Sequence, residues 1–388
     1  MKKLRLAKGA EEVAARAWLV EPCSHEVTKS LERLARAADV QRIAVMPDVH
    51  LSKEVCVGVA LATTTLIYPA AVGADIGCGM LALPFDAEAS LLEDEARAMW
   101  LLDALRAAVP SLKHSGATRI DAMPETLRKL TLSDPALQRL AERDGLWQLG
   151  TLGRGNHFLE FQADDEGRLW LLIHSGSRGM GQAITGHHVH RAGDAPRGSR
   201  LVALDASTAD GQAYLADVEW AIAYAEANRI AMARCVEELL QSQWRIVPDP
   251  TLRIHAHHNH VRREEHCGQR YWVHRKGASA AHEGEAGVIG GTMGTPSFHV
   301  TGRGCEDALA SSSHGAGRVL PRGEASRTIS DRQTAKELRG VWYDARNVAR
   351  YRDEAPSAYR DIRAVMRAQR DLVRIVRQVT PLLCYRGD

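Results

Sequence analysis

Five glycine-rich segments constrain this chain more than any other feature: 73-GADIGCGM-80, 150-GTLGRGNHFLE-160, 174-HSGSRGMG-181, 290-GGTMGTPS-297 and 313-SHGAGR-318. Glycine at that density keeps the backbone out of regular helix and strand and lets it approach a ligand closely. Four of the five also carry His, Cys, Asp or Arg. The segments recur from residue 73 to residue 318 with no Pro/Ser-rich linker and no internal repeat between them. That pattern predicts one α+β domain over residues 1–388, with mixed sheets and loops converging on one site. A division into two domains is the alternative.

Between the loops lie short apolar runs that read as strands at Ile43–Met46, Val55–Thr64, Trp170–His174, Arg270–His274 and Ser297–Thr301. Helical periodicity is strongest over 212–242, where Leu215, Val218, Ile222, Ala225, Met232, Val236 and Leu239 repeat before Pro248. Weaker patterns predict helices over 86–107 and, with Ser357 as N-cap, over 357–377. No apolar run is long enough to span a bilayer, and no apolar leader opens the chain. The seven cysteines are odd in number and never form C-x-x-C, which argues against a disulfide framework or a zinc ribbon. The expectation is a soluble cytoplasmic protein.

A formal charge of +2 is too small to predict nonspecific polyanion binding. Lys occurs only nine times among the 50 basic residues, so an anion site here is expected to be lined by Arg, whose planar fork grips phosphate. Asp75 and Cys78 sit three apart in a loop, a spacing that suits a borderline divalent ion such as Mn or Zn. The alternative is a turn-capping Asp beside a small buried thiol. His157 in GNHFLE and His174 at a strand end are placed as ligands or proton carriers. The segment 255-HAHHNHV-261 reads as an alternation, with His255, His257 and Asn259 on one face and His258 and His260 on the other. The cluster 187-HHVH-190 lacks a nearby carboxylate in sequence and is assigned to the surface. Arg178 and Arg318 each follow a histidine by four residues with glycine between, and His314 is exposed by Gly315 and Gly317 as a candidate nucleophile or acid/base group. There is no P-loop, no H-E-x-x-H and no Rossmann fingerprint, so any nucleotide chemistry takes an uncommon route.

The segments 46-MPDVHL-51, 69-PAAVGADIGCGM-80, 149-LGTLGRGNHFLE-160, 173-IHSGSRGMG-181, 257-HHN-259, 274-HRKGA-278, 287-GVIGGTMGTPSF-298, 313-SHGAGR-318 and 384-CYRG-387 together resemble the RtcB family of RNA ligases, in the family order and over almost the whole chain. The resemblance implies joining of RNA ends bearing a 2′,3′-cyclic phosphate or 3′-phosphate to 5′-hydroxyl ends, with GTP and two Mn²⁺ ions, in RNA repair or tRNA splicing. It implies that Asp75, Cys78, His157, His174 and His258 hold the metals, with Cys78 bridging, and that His314 carries GMP while Asp48 supports it. Asn156, Glu160, Asn259, Gly290, Gly291, Thr292, Met293, Ser297, Gly315, Ala316, Gly317 and Arg386 would line the guanylate pocket. Arg178, Lys276 and Arg318 would face RNA phosphates. An archease-type activator is an expected partner of some members.

Arg386 stands where the family usually has lysine, Gly290 where it has proline and Thr292 where it has serine, which points to a divergent paralogue. The competing reading from another class is a binuclear metallophosphoesterase that opens cyclic phosphates without ligating. An RNA-end-binding protein without catalysis is the third, disfavoured by the retained candidate ligands and by an aromatic content of 5%.

Overall fold

The computed structural model describes residues 2–8, 11–115, 120, 122–193 and 201–387. Two large sheets organise them, and against the expectation only one is mixed: the six-stranded sheet has one parallel pair, Glu11–Ala17 with Val40–His50, and the seven-stranded sheet is antiparallel throughout. In the six-stranded sheet the spatial order is Lys2–Lys8, Glu11–Ala17, Val40–His50, Val57–Thr63, Gln269–Lys276 and Asn259–His266. In the seven-stranded sheet it is Ile254–His257, Gly79–Glu88, Arg168–Ser175, Phe158–Asp164, Val373–Arg386, Ser297–Gly302 and Ala286–Ile289. All five expected strands lie within or over these elements. The α+β class is as the sequence led us to expect.

The helix expected at 212–242 runs Ala209–Trp244. Thr208 caps it by accepting from Gly211 N, and Arg245 ends it in the left-handed region at φ 60°. Its Met232, Ala233, Val236 and Leu240 join Leu101, Leu102 and Leu105 against Leu81, Leu83, Phe161, Leu171 and Ile173 of the seven-stranded sheet. Full burial of a Leu or Phe side chain contributes roughly 1.5–3 kcal/mol, so this layer anchors the sheet end where the chemistry-bearing residues emerge. A second core lies where Trp18, Ala44, Ala60 and Ala62 of one sheet region meet Ile289, Phe298, Val300, Ile362 and Val365.

Two helix expectations are corrected. Residues 86–88 complete the strand Gly79–Glu88, with Glu88 opposite Arg168, and a 3₁₀ turn follows. The helix starts only at Glu95, where Asp94 accepts from Arg97 N at 2.9 Å, and it runs to Ala108. The segment 357–377 opens in a 3₁₀ turn, Pro356–Ala358, and is α-helical only over Ile362–Ala368, capped by Asp361. Ser357 instead accepts from Gln333 Nε2 at 3.0 Å. From Val373 the chain is a strand, its first half paired with Ser297–Gly302 and its second half, from Val379, with Phe158–Asp164, and its opening run of Val and Ile suits a pleated sheet.

Candidate functional site

Four adjacent strands of the large sheet end level with one another, and that register builds the site. Gly79 lies opposite both Ser175 and His257, and His174 lies opposite both Met80 and Phe158. Cys78, His157 and His258, each one residue outside its strand, therefore gather with His174 at one sheet edge. His258 is also the residue at which the chain passes from one sheet to the other. The expected alternation over 255–261 is thus interrupted. His255 and His257 meet Arg229, His258 turns to the cluster, and His260 Nε2 lies 3.2 Å from Arg275.

Cys78 Sγ lies 3.3 Å from His174 Nε2 and 3.6 Å from His157 Nε2. His174 Nε2 is 3.2 Å from His258 Nε2, and His157 Nε2 is 2.9 Å from Asp75 Oδ2. The ligand atoms form two groups, Cys78–His174–His258 and Asp75–Cys78–His157, each within 4.8 Å and sharing Cys78. Asp75 reaches this position over Gly176, where a Cβ would lie 2.2 Å from its Oδ1. The donor chemistry fits a borderline divalent ion. His174 Nδ1 donates to Asn156 O at 3.1 Å, which leaves its Nε2 a bare lone pair directed at His258 and Cys78. Burial holds His174 and His258 well below the usual histidine range, hence neutral as ligands must be. The same burial, with Asp75 adjacent, pushes the Cys78 thiol up, a penalty that a cation would reverse. For His157, Leu152 O at 3.1 Å and the Arg178 guanidinium at 3.2 Å compete for Nδ1. Donation to Leu152 O is the arrangement that frees Nε2 for a metal.

His314 stands at the edge of this cluster, its ring 4.6 Å from that of His258. Its Nδ1 is 2.7 Å from Asp48 Oδ2, and its backbone N–H donates to the same oxygen at 3.2 Å. Asp48 is fully buried and comes from the other sheet. Gly317, at φ +74°, lets the loop pass this close, since a Cβ there would lie 2.4 Å from Asp48 O. A carboxylate only accepts, so the Nδ1 of His314 carries the proton of this bond.

A pocket opens beside His314. Of the expected residues, Asn156, Glu160, Gly290, Gly291, Thr292, Met293, Ser297, Gly315, Ala316, Gly317, Arg318 and Arg386 line it. The strand pairing carries Arg386 opposite Phe158, which explains how the chain's end reaches this edge. Glu160 is buried here and burial raises its pKa to about 8. Asn259 and Lys276 are not brought into this pocket. Asn259 donates to Asp75 O at 3.0 Å and accepts from Gly277 N at 2.8 Å, and Lys276 Nζ donates to Val55 O at 2.8 Å. Arg178 lines a second cleft on the far side of the cluster with Asp75, Lys113, Arg154 and His157. It adopts φ 57°, uncommon for a residue with a side chain and a local strain at the site.

Sequence reasoning missed His50, Phe158, Arg322, Glu354 and Tyr359 on the wall of the first pocket. His50 had a signal, two residues after Asp48; Arg322 and Glu354 sit in charge-rich stretches that look like solvated surface. It also missed Asn228 and Arg229, buried inside the long helix. The surface assignment of 187-HHVH-190 is corrected for His188, which is 2% exposed and 2.7 Å from the buried Asp217. The carboxylate that the local sequence lacked arrives from another helix.

Fold and site together define an α+β protein with a candidate thiolate–imidazole metal centre beside a glycine-walled pocket suited to an anionic ligand. The chain matches the model of the tRNA-splicing ligase RtcB family over residues 30–137 and 128–387, and it belongs to that family. It is 38% identical to the RNA-splicing ligase RtcB of Escherichia coli K12, across 89% of this chain and 90% of that protein. It is 32% identical to the RNA-splicing ligase RtcB of Mycobacterium tuberculosis H37Rv, across 88% and 96%. To the tRNA-splicing ligase RtcB of Methanococcus maripaludis it is 27% identical, across 89% and 88%. Among the described residues no helix is long and apolar enough to cross a membrane.

Proposed function

We propose that this chain is an RNA ligase that joins 3′-phosphate or 2′,3′-cyclic phosphate ends to 5′-hydroxyl ends, using GTP and a pair of Mn²⁺ ions. It works as one catalytic domain, because its site draws on residues from Asp48 to Arg386. The observation that carries the reading is the Asp48–His314 hydrogen bond beside the cysteine-centred cluster. A phosphoesterase has use for the cluster but none for a buttressed histidine beside a glycine-walled pocket that adjoins it. The seven unpaired cysteines support a reducing compartment, the cytoplasm.

Asp75, Cys78, His157, His174 and His258 would hold the ions, with Cys78 shared. When bound, the ions supply charge neutralisation to phosphoryl oxygens. Asp48 keeps the Nδ1 proton of His314, so that Nε2 attacks the α-phosphate of GTP. A P–N bond forms, the bond to the bridging oxygen breaks and pyrophosphate leaves. Asn156, Glu160, Ser297, Thr292 and Arg386 would orient the guanylate, and the backbone of 290–293 and 314–317 would approach its phosphate. A cyclic end first takes up water, which breaks the P–O2′ bond and leaves a 2′-hydroxyl and a 3′-phosphate; Arg178 would hold that 3′-phosphate, which accepts GMP from His314, and Arg318 and Lys276 would serve the RNA backbone. Attack by the 5′-hydroxyl then expels GMP and seals the strand.

The test is incubation with Mn²⁺ and α-³²P-GTP, with and without an archease-type activator, beside His314→Ala. An acid-labile label on the wild type alone is the expected result. Absence of label under every condition, with cyclic phosphates still opened, would move the protein to the phosphoesterases.

A further inference from the structure

The middle of the long helix contains two adjacent polar residues, Asn228 and Arg229, both 0% exposed. A guanidinium taken wholly out of water costs several kcal/mol unless its donors are matched, so what it touches is informative. Arg229 Nη1 donates to Gly77 O at 2.9 Å and to Ser175 O at 2.6 Å. Its Nη2 meets His257 Nδ1 at 3.0 Å, and its Nε donates to His255 Nε2 at 2.7 Å. Gly77, Ser175 and His257 are the immediate chain neighbours of Cys78, His174 and His258. One planar group therefore ties together the backbone beside two candidate ligands, Cys78 and His174, and the side chain next to a third, His258.

Asn228 extends the same contact to the fourth loop. Its Oδ1 accepts from Gly150 N at 2.7 Å and Thr151 N at 3.1 Å. Its Nδ2 donates to Thr151 O at 3.1 Å and Ser175 Oγ at 3.2 Å, and Ser175 Oγ in turn donates to Leu152 O at 2.7 Å. Leu152 O is the carbonyl that faces His157 Nδ1. The helix itself is held to the first loop by the close approach of Gly77 to Ile222, where a Cβ would lie 2.9 Å from Ile222 Cα.

We infer that Asn228 and Arg229 are the positioning residues of the metal centre, setting the mutual placement of Cys78, His157, His174 and His258 from a single rigid helix. Neither touches a reacting atom. The inference rests on the metal half of the proposed function, and its test reads metal binding rather than ligation. Ligand-orienting groups of this kind typically carry about 10–100-fold in metal affinity.

Full-length protein stripped of metal is titrated with Mn²⁺ by calorimetry, and loaded in parallel with Co²⁺ to read thiolate-to-metal absorption bands. Arg229→Lys keeps the charge and loses the fork; it is expected to weaken Mn²⁺ about 10–100-fold and to shift the Co²⁺ bands. Arg275→Lys is the comparison: Arg275 is equally buried, but it serves Glu264, Ser311 Oγ and Leu309 O. That variant should lose thermal stability while its Mn²⁺ affinity stays within about threefold of wild type, well short of the loss expected for an orienting group. If Arg229→Lys does not fold, His255→Ala removes only the outward partner of Arg229 and should weaken Mn²⁺ in the same direction. Wild-type affinity in Arg229→Lys, or in His255→Ala where Arg229→Lys does not fold, overturns the inference, as does an equal loss in Arg275→Lys. A wild-type protein that binds no divalent ion overturns the metal reading and this inference with it.

Discussion

Asp48 and His314, 266 positions apart in the chain, are joined by a 2.7 Å hydrogen bond in which a fully buried carboxylate fixes the tautomer of a partly exposed imidazole. Asp48→Asn preserves shape but presents an amide that can donate to Nδ1 and move the imidazole proton to Nε2. By analogy with other carboxylate-held histidines, the rate of covalent GMP labelling is expected to fall roughly 10³–10⁴-fold, with circular dichroism unchanged. A labelling rate within a few-fold of wild type would show that Asp48 does not set the tautomer.

Cys78 belongs to both candidate ligand groups, whereas His258 belongs to one. Elemental analysis of Mn-loaded protein should therefore give two ions for wild type, one for His258→Ala and none for Cys78→Ala. Chelation should lower the Tm of wild type, since a ligand that binds only the folded state stabilises it by mass action. Equal metal content in the two variants would refute the shared thiolate.

Glu160 carries a pH dependence of known sign. Burial raises its pKa from 4.5 in the open chain to about 8. Between those values the folded protein retains a proton that the unfolded chain has lost, so stability falls as pH rises, by up to about 1.4 kcal/mol per unit. Without nucleotide, Tm should decline from pH 5 to 8, and Glu160→Gln should flatten that part of the profile. An unaltered slope in the variant would assign the dependence elsewhere.

Glu354 is buried among arginines, 2.9 Å from Arg386 and 2.5 Å from Arg322. Removing one partner of such an assembly leaves uncompensated buried charge, and Glu354→Ala should cost about 3–5 kcal/mol in a denaturant titration. It should also loosen Arg386 and raise the GTP requirement for labelling. A loss below 1 kcal/mol would mean that solvent already screens the cluster.

The long helix and the five expected strands were legible because local sequence carries them, as apolar periodicity and β-branched runs, and the glycine-rich segments stood out beside His, Asp or Cys; much of the pocket lining came from the family resemblance, which did not reach His50, Phe158, Arg322, Glu354 or Tyr359. Segments 86–94 and 373–377 were not, because their strand or turn state depends on pairing with Arg168 and with Ser297–Gly302, partners that lie far along the chain. Composition and motif determined which residue types could form the site. Register decided that Cys78, His157, His174 and His258 emerge at one edge, and only the crossing between sheets aimed His258 away from its neighbours His255 and His257. Long-range contacts also turned His188 inward to Asp217 and buried Arg229, for which the local sequence offered no partner. A buried polar group is tolerated only where the tertiary structure satisfies its hydrogen bonds, and that condition is not written in any short stretch of chain.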